Sequence, residues 1–310
     1  MEAAAHPRRR PRARRPGVLE QRRFLAPALI APAVLFIALL VGGPLVLAIY
    51  LSFTGATAGQ LTADWIGLEN YRRAWADPIF RDAFKNTFLF TFVSQAFVIV
   101  GAGVLAHFLM KDFRGKWILR MLILLPWAAP VALTSLGWLW IFDSQFSVVN
   151  WVAWKLGLIE FVTDWQWIGE ETRAMAAIIT AHAWRLLPFA TVIMIAGLAS
   201  IPKEVDDAAA VDGAVGLKKL WHVTLPLQLP IATIAVLFGI VFTATDMAVV
   251  KILTNGGPFN STQMLTTWAY ATGVESQSLG AGAAVSLFML PILAGVTILM
   301  LLFAKRVEVT

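Results

Sequence analysis

The chain has 310 residues, of which 58% are apolar and only 14% charged, with a mean hydropathy of +0.71. An ordinary soluble domain carries about 45–50% apolar and about 25% charged residues, so a water-soluble globular protein is excluded. The net charge of +6 is unevenly placed. Eight of the 25 basic residues (Arg8, Arg9, Arg10, Arg12, Arg14, Arg15, Arg22 and Arg23) lie before the first apolar run, where they report membrane orientation rather than nucleic-acid binding. The absence of Cys excludes disulfides, haem–thiolate or iron–sulfur ligation and thiol catalysis.

Residues 1–23 are rich in Arg, Pro and Ala and read as a disordered basic cytoplasmic tail; 24–310 read as one transmembrane domain. Phe24 to Phe53 is free of charge and exceeds the 7–15 residues of a signal-peptide core, so it is expected to stay as a first span. Five more spans follow: Asn86–Met110, Met121–Phe142 with Pro126 and Pro130 inside it, Ala174–Leu198, Pro226–Leu253 and Gly280–Ala304. The fold class predicted is an all-α membrane protein of six helices, since barrel strands would alternate over about 9–11 residues.

Basic residues place the termini. With the N-terminus inside, 109–120 (Lys111, Arg114, Lys116, Arg120) and 199–225 (Lys203, Lys218, Lys219) lie inside with the C-terminus. Segments 54–85, 143–173 and 254–279 then lie outside, although the first also carries four basic residues. Tryptophans 65, 75, 151, 154, 165 and 167 fall in these outer segments, as headgroup anchors or as caps on a substrate path.

The inner loop 201–225 is more than a connector. Glu204, Asp206, Asp207, Ala208, Ala209 and Ala210 open a helix, Gly213 and Gly216 break it, and Leu217, Leu220, Trp221 and Val223 lead to a second helix near the membrane surface. From physics alone it is either a docking surface for a soluble partner or a well-ordered internal loop. Its pattern, Asp207-Ala208-Ala209, then Asp212-Gly213-Ala214, ending in Thr224-Leu225-Pro226, resembles the cytoplasmic EAA loop of bacterial binding-protein-dependent ATP-binding-cassette importer permeases. The family's usual Glu is replaced by Asp207, which keeps the charge and shortens the reach by one methylene. Gly67-Leu68-Glu69-Asn70-Tyr71, Thr254-Asn255-Gly256-Gly257-Pro258 and Asn260-Ser261-Thr262 are similar to the carbohydrate branch, the larger-subunit permeases of maltose type.

Two charges lie deep in spans, where a charge at mid-bilayer costs about 2.5–3.5 kcal/mol on insertion scales and so faces a partner or a cavity. His182, Arg185, Leu186 and Phe189 form a stripe on span four; Gly239, Thr243 and Asp246 are read as one face of span five. Arg185 and Asp246 form either a structural pair or part of a polar cavity. The resemblance implies that these seven positions line a sugar cavity, with Asp246, Thr243 and Phe189 differing in chemistry from the maltose-type pattern. It also implies a multi-pass subunit of the bacterial cytoplasmic membrane with both termini cytoplasmic. Its partners would be a second homologous permease, two cytoplasmic ATPases, an extracytoplasmic sugar-binding protein, the carbohydrate and membrane lipid. The expected function is ATP-driven carbohydrate import; the alternative is a permease for glycerol phosphate or a sugar alcohol.

No Gly-x-x-x-x-Gly-Lys-Ser/Thr loop occurs, so this chain is expected to bind no cofactor and MgATP is expected in the partners. An enzyme using His182 with Asp246, or a metal on Asp206, Asp207 and Asp212, lacks the ligand pattern such chemistry needs, so no catalytic or metal residue is assigned. An ion-driven transporter lacks evident internal repeats.

Overall fold

Inside a bilayer a helix is the simplest way for an uncharged run to pair every backbone N–H and C=O within itself, and the computed structural model follows that rule. It describes residues 22–60 and 64–308, so the expected basic tail lies outside the described residues except for Arg22 and Arg23, in the helical turn that leads into the first candidate span. We number the helices α1 (Ala26–Ser52), α2 (Glu69–Ala76), α3 (Pro78–Met110), α4 (Lys116–Ala128), α5 (Val131–Ile141), α6 (Val148–Lys155), α7 (Glu171–Ala199), α8 (Lys203–Val211), α9 (Leu217–Ala244), α10 (Ala248–Leu253), α11 (Leu265–Tyr270) and α12 (Leu279–Arg306). Among the described residues the extended pairings are two isolated bridges, Thr54 with Trp65 and Thr57 with Gln60. The chain divides into two compact units, Met1–Tyr50 and Leu51–Thr310.

Five helices (α1, α3, α7, α9 and α12) are each long and apolar enough to cross a membrane. The third expected span is not one rod: α4 and α5 meet at a bend of 98°. Sequence chemistry explains the break. Ala129 precedes Pro130 and takes the extended backbone that the proline ring forces on its neighbour, and Pro130 has no N–H to continue the ladder. Counted together, the bent pair makes the sixth span.

Two other boundaries differ from the sequence reading. α3 starts at Pro78 rather than near Asn86, because Asp77 accepts a hydrogen bond from Ile79 N (2.9 Å) and Pro78 sits at the first helical position. Phe80 and Ala83 are buried in that first stretch while Arg81, Asp82 and Lys85 face outward. The fifth expected span, Pro226–Leu253, is two helices: α9 ends at Ala244, and Asp246 lies in the break before α10.

The loop 201–225 forms α8, then a turn through Gly213 (φ +70°) and Gly216 (φ +57°). Its second helix is not a separate surface helix. Leu217–Lys219 runs through a π-helical turn, Leu220–Thr224, directly into the membrane part of α9.

The core of the second unit sits where α3, α7 and α9 pack. Val98, Ala102 and Ala106 of α3 meet Leu186, Ala190 and Met194 of α7, and the three alanines let the backbones approach. A second cluster joins Phe90, Ile178, Val249, Leu253 and Met264. α3 also turns polar residues inward, Thr87, Thr91, Ser94 and Gln95.

Candidate functional site

The break after α9 creates the site. Asp246 N donates to Thr243 O (3.1 Å), Asp246 Oδ1 accepts from Val249 N (3.1 Å), and the carboxylate so caps the first turn of α10. Its other oxygen, Oδ2, points to α7, where it accepts from Arg185 Nη2 at 2.6 Å and meets His182 Nδ1 at 3.0 Å. His182 Nε2 lies 2.9 Å from Thr243 Oγ1, and that hydroxyl donates to the Gly239 carbonyl at 2.7 Å. His182 and Thr243 are fully buried, so each polar atom must find its partner inside the protein. The result is a knot joining α7, α9 and α10.

One side of this knot is open. A cleft of about 330 Å³ is lined by Trp127, Val131, Arg185, Phe242, Thr245, Asp246, Met247 and Ala248. The Arg185 guanidinium lies 6.0 Å from the Trp127 ring centre, within cation–π range. Its Nε is buried with no hydrogen-bond partner in the protein. Phe189 stacks on Trp127 (4.9 Å, 28°) and meets Phe242 edge-on (5.4 Å), so it braces the aromatic wall from behind. The cleft therefore offers a carboxylate, a guanidinium and aromatic faces together, the mixture that suits a hydroxylated solute with an apolar face.

The seven positions named from sequence separate by place. Arg185 and Asp246 line the cleft; His182 and Thr243 hold them from behind; Phe189 supports Trp127. Leu186 is fully buried against α3. Gly239 faces α3, where a Cβ would fall 2.0 Å from the Gln95 amide. Neither of these two reaches the cleft. Trp127 was missed by the sequence reading, and its signal was position: it ends α4 just before the Pro130 break.

The loop residues form a second candidate surface. Ala209 and Ala214 are buried and linked by the Ala214 N to Ala209 O bond (2.8 Å), so they close the loop on itself. Asp207, Ala208, Asp212 and Gly213 are exposed. Asp206 pairs with Lys219 at 2.7 Å, tying α8 to the start of α9. Val211 (87% exposed), Leu217 (73%), Val215 and Trp221 add exposed apolar side chains to the same loop. Among the described residues no cluster of His, Asp or Glu could hold a metal ion.

Residues 99–309 match the family model described as "Binding-protein-dependent transport system inner membrane component". The chain is 32% identical to the sulfoquinovosyl glycerol transport system permease protein of Agrobacterium fabrum over 86% of each chain. It is 31% identical to the diacetylchitobiose uptake system permease protein of Streptomyces coelicolor, over 88% of this chain and 84% of that one. The sn-glycerol-3-phosphate transport system permease protein of Agrobacterium fabrum is 26% identical over 90% of this chain and 94% of its own. The fold is that of a bacterial ABC transporter involved in the import of the acidic polysaccharide alginate, with a TM-score of 0.77 at 17% identity, covering 92% of this chain and 96% of that one. The six-span helical architecture, the match across the loop and both faces of the cleft, and these relatives establish that the chain belongs to the family of binding-protein-dependent transport system inner membrane components, as a multi-pass permease subunit.

Proposed function

We propose that the cleft at the α9–α10 break is the solute site of an importer for a carbohydrate or carbohydrate conjugate. The observation that carries this reading is the Arg185–Asp246 pair opening onto a cleft walled by Trp127 and Phe242. Trp127 offers an aromatic face to sugar C–H surface, Asp246 accepts hydroxyl hydrogen bonds, and Arg185 donates them. Supporting it, relatives at 32% and 31% identity carry names of a sugar glycerol and a disaccharide.

The rest of the machine is supplied by partners. A second permease completes the path, an extracytoplasmic binding protein delivers the solute, and two cytoplasmic ATPases hydrolyse MgATP while the 201–225 loop receives their motion. The exposed apolar side chains of Val211 and Trp221 support that docking role. Both termini face the cytoplasm, a reading supported by the basic loops 109–120 and 199–225. Single Cys probes at Ala13 and Val309 test it: labelling by an impermeant thiol reagent in intact cells overturns the orientation.

A glycerol phosphate or other anionic polyol is a second reading, favoured by the unpartnered Arg185 Nε and by the glycerol-3-phosphate relative. One experiment separates the readings. Uptake is measured for neutral sugars and for glycerol phosphate in Asp246→Asn and Trp127→Ala at matched complex levels. Loss of neutral-sugar uptake in Trp127→Ala with altered preference in Asp246→Asn supports the carbohydrate reading. A rise in anionic uptake in Asp246→Asn, with Trp127→Ala unchanged, supports the second. Unchanged kinetics in both variants contradicts the site.

A further inference from the structure

A second cavity is separate from the cleft and borders the loop at Gly216 and Leu217. The last turns of α3 and the first of α9 enclose a groove of about 710 Å³. Its walls are apolar, with Val100, Val104 and Phe108 on one side and Leu220, Leu225 and Leu229 on the other. Val100 and Val104 are 69% and 66% exposed, so the groove opens sideways on the surface of a membrane-spanning bundle.

One end of the groove is cationic. Lys111, exposed at the C-cap of α3, lines its mouth. Lys116 Nζ and Arg120 Nη2 reach back to the last carbonyls of α3, Met110 O and Leu109 O, each at 3.4 Å, where a helix C-terminus favours positive charge. Asp112 pairs with Lys116 at 3.4 Å and Asp206 with Lys219 at 2.7 Å, so Lys111 is the cation that faces the groove. His107, also in the lining, meets the Gly103 carbonyl through Nδ1 at 2.7 Å, so Nδ1 carries the proton. Its Nε2 is buried with no partner. The groove therefore calls for an occupant that is apolar along its length and negative at the Lys111 end.

We propose that this groove binds an anionic phospholipid, with an acyl chain along α3 and α9 and the phosphate at Lys111. The chemistry follows from the place. Basic pockets between membrane helices select anionic headgroups, and each Lys or Arg near the surface changes that affinity roughly fivefold. An apolar protein helix filling the same groove would cover the apolar walls but leave Lys111 unanswered.

The complex purified from membranes with its associated subunits is the material for the test. Native mass spectrometry compares retention of phosphatidylglycerol with that of phosphatidylethanolamine during delipidation. The wild type is expected to retain phosphatidylglycerol preferentially. Lys111→Gln lowers that retention roughly fivefold and leaves phosphatidylethanolamine unchanged, whereas Val104→Trp, which fills the groove, lowers both. A photoreactive benzoylphenylalanine at Val104 gives an independent reading in case Val104→Trp fails to assemble. A lipid adduct supports the site, and a cross-link to a second protein chain overturns it. Equal retention of the two lipids by the wild type also overturns it.

Discussion

The knot at the α9–α10 break and the loop around α8 face opposite physical constraints. In the knot, His182, Thr243 and Asp246 are buried and answer one another's hydrogen bonds, with Arg185 reaching in from the cleft. In the loop, Ala209 and Ala214 hold the turn while Val211, Val215, Leu217 and Trp221 are exposed and satisfy nothing inside the chain. Buried mutual satisfaction makes a region intolerant of single changes, because each removal strands a partner. Exposed apolar side chains make a region tolerant in folding and sensitive in association. The two regions are therefore distinguished by which assay a mutation moves.

The largest expected effect is at Asp246. Asp246→Ala leaves Arg185 and His182 without their carboxylate and removes the cap on α10, so the purified complex should lose about 3–5 kcal/mol of stability. Thermal denaturation checks this. Pairing Arg185→Met with Asp246→Leu should recover most of the loss, because neither charge is then left alone. If the double variant is no better than Asp246→Ala, the cap rather than the charge pair dominates.

Gly239→Ala ranks next. The new methyl meets the Gln95 amide, and overpacking of this kind costs about 1–3 kcal/mol. Combining it with Gln95→Ala should relieve the strain in the same melting assay. Additive losses would show that Gln95 contributes more than bulk.

At the loop, Val211→Asp should change stability by less than about 0.5 kcal/mol while reducing solute-stimulated ATP hydrolysis and co-purification of the ATPases. A large melting shift with normal hydrolysis would reverse the contrast between the two regions. Ala209→Trp acts differently, since Ala209 is buried in the loop's own closure, and its effect should appear in stability first.

The smallest effect belongs to the turn at Asp143. The carboxylate accepts from Phe146 N and Gln145 N, and these backbone donors, the Phe146 one foremost, hold its pKa below the usual carboxylate value. A lowered folded pKa means the turn is supported above the ordinary carboxylate range and loses that support as pH falls through the lowered value. Asp143→Asn should flatten this acid-side dependence in hydrogen exchange of the 143–147 turn and leave transport unchanged.

Much of this was legible in the sequence, for identifiable reasons. Uncharged length gave the spans, and the Asp-Ala-Ala run with Gly213 and Gly216 gave the α8 turn. Proline chemistry marked Pro130, but whether a membrane helix bends there or continues depends on tertiary packing, as Pro188 inside α7 illustrates. Asp246 was placed on a helical face because Thr243 to Asp246 fits the spacing. The actual end at Ala244 is fixed by a side-chain cap on the next helix that periodicity does not register. Trp127 escaped for a similar reason: its approach to Arg185 is a tertiary contact between α4 and α7 that sequence spacing does not register.

The claim that the cleft carries the solute is tested most directly by protection. Because the chain has no Cys, Thr245→Cys, in the cleft lining, places a single thiol there, and Val211→Cys supplies an outside reference. Labelling by a small thiol reagent is timed in the assembled importer, with and without the transported solute and its binding protein. The account predicts that solute slows labelling at Thr245→Cys and leaves Val211→Cys unchanged. Identical labelling rates at Thr245→Cys, in an importer that still transports, would contradict it.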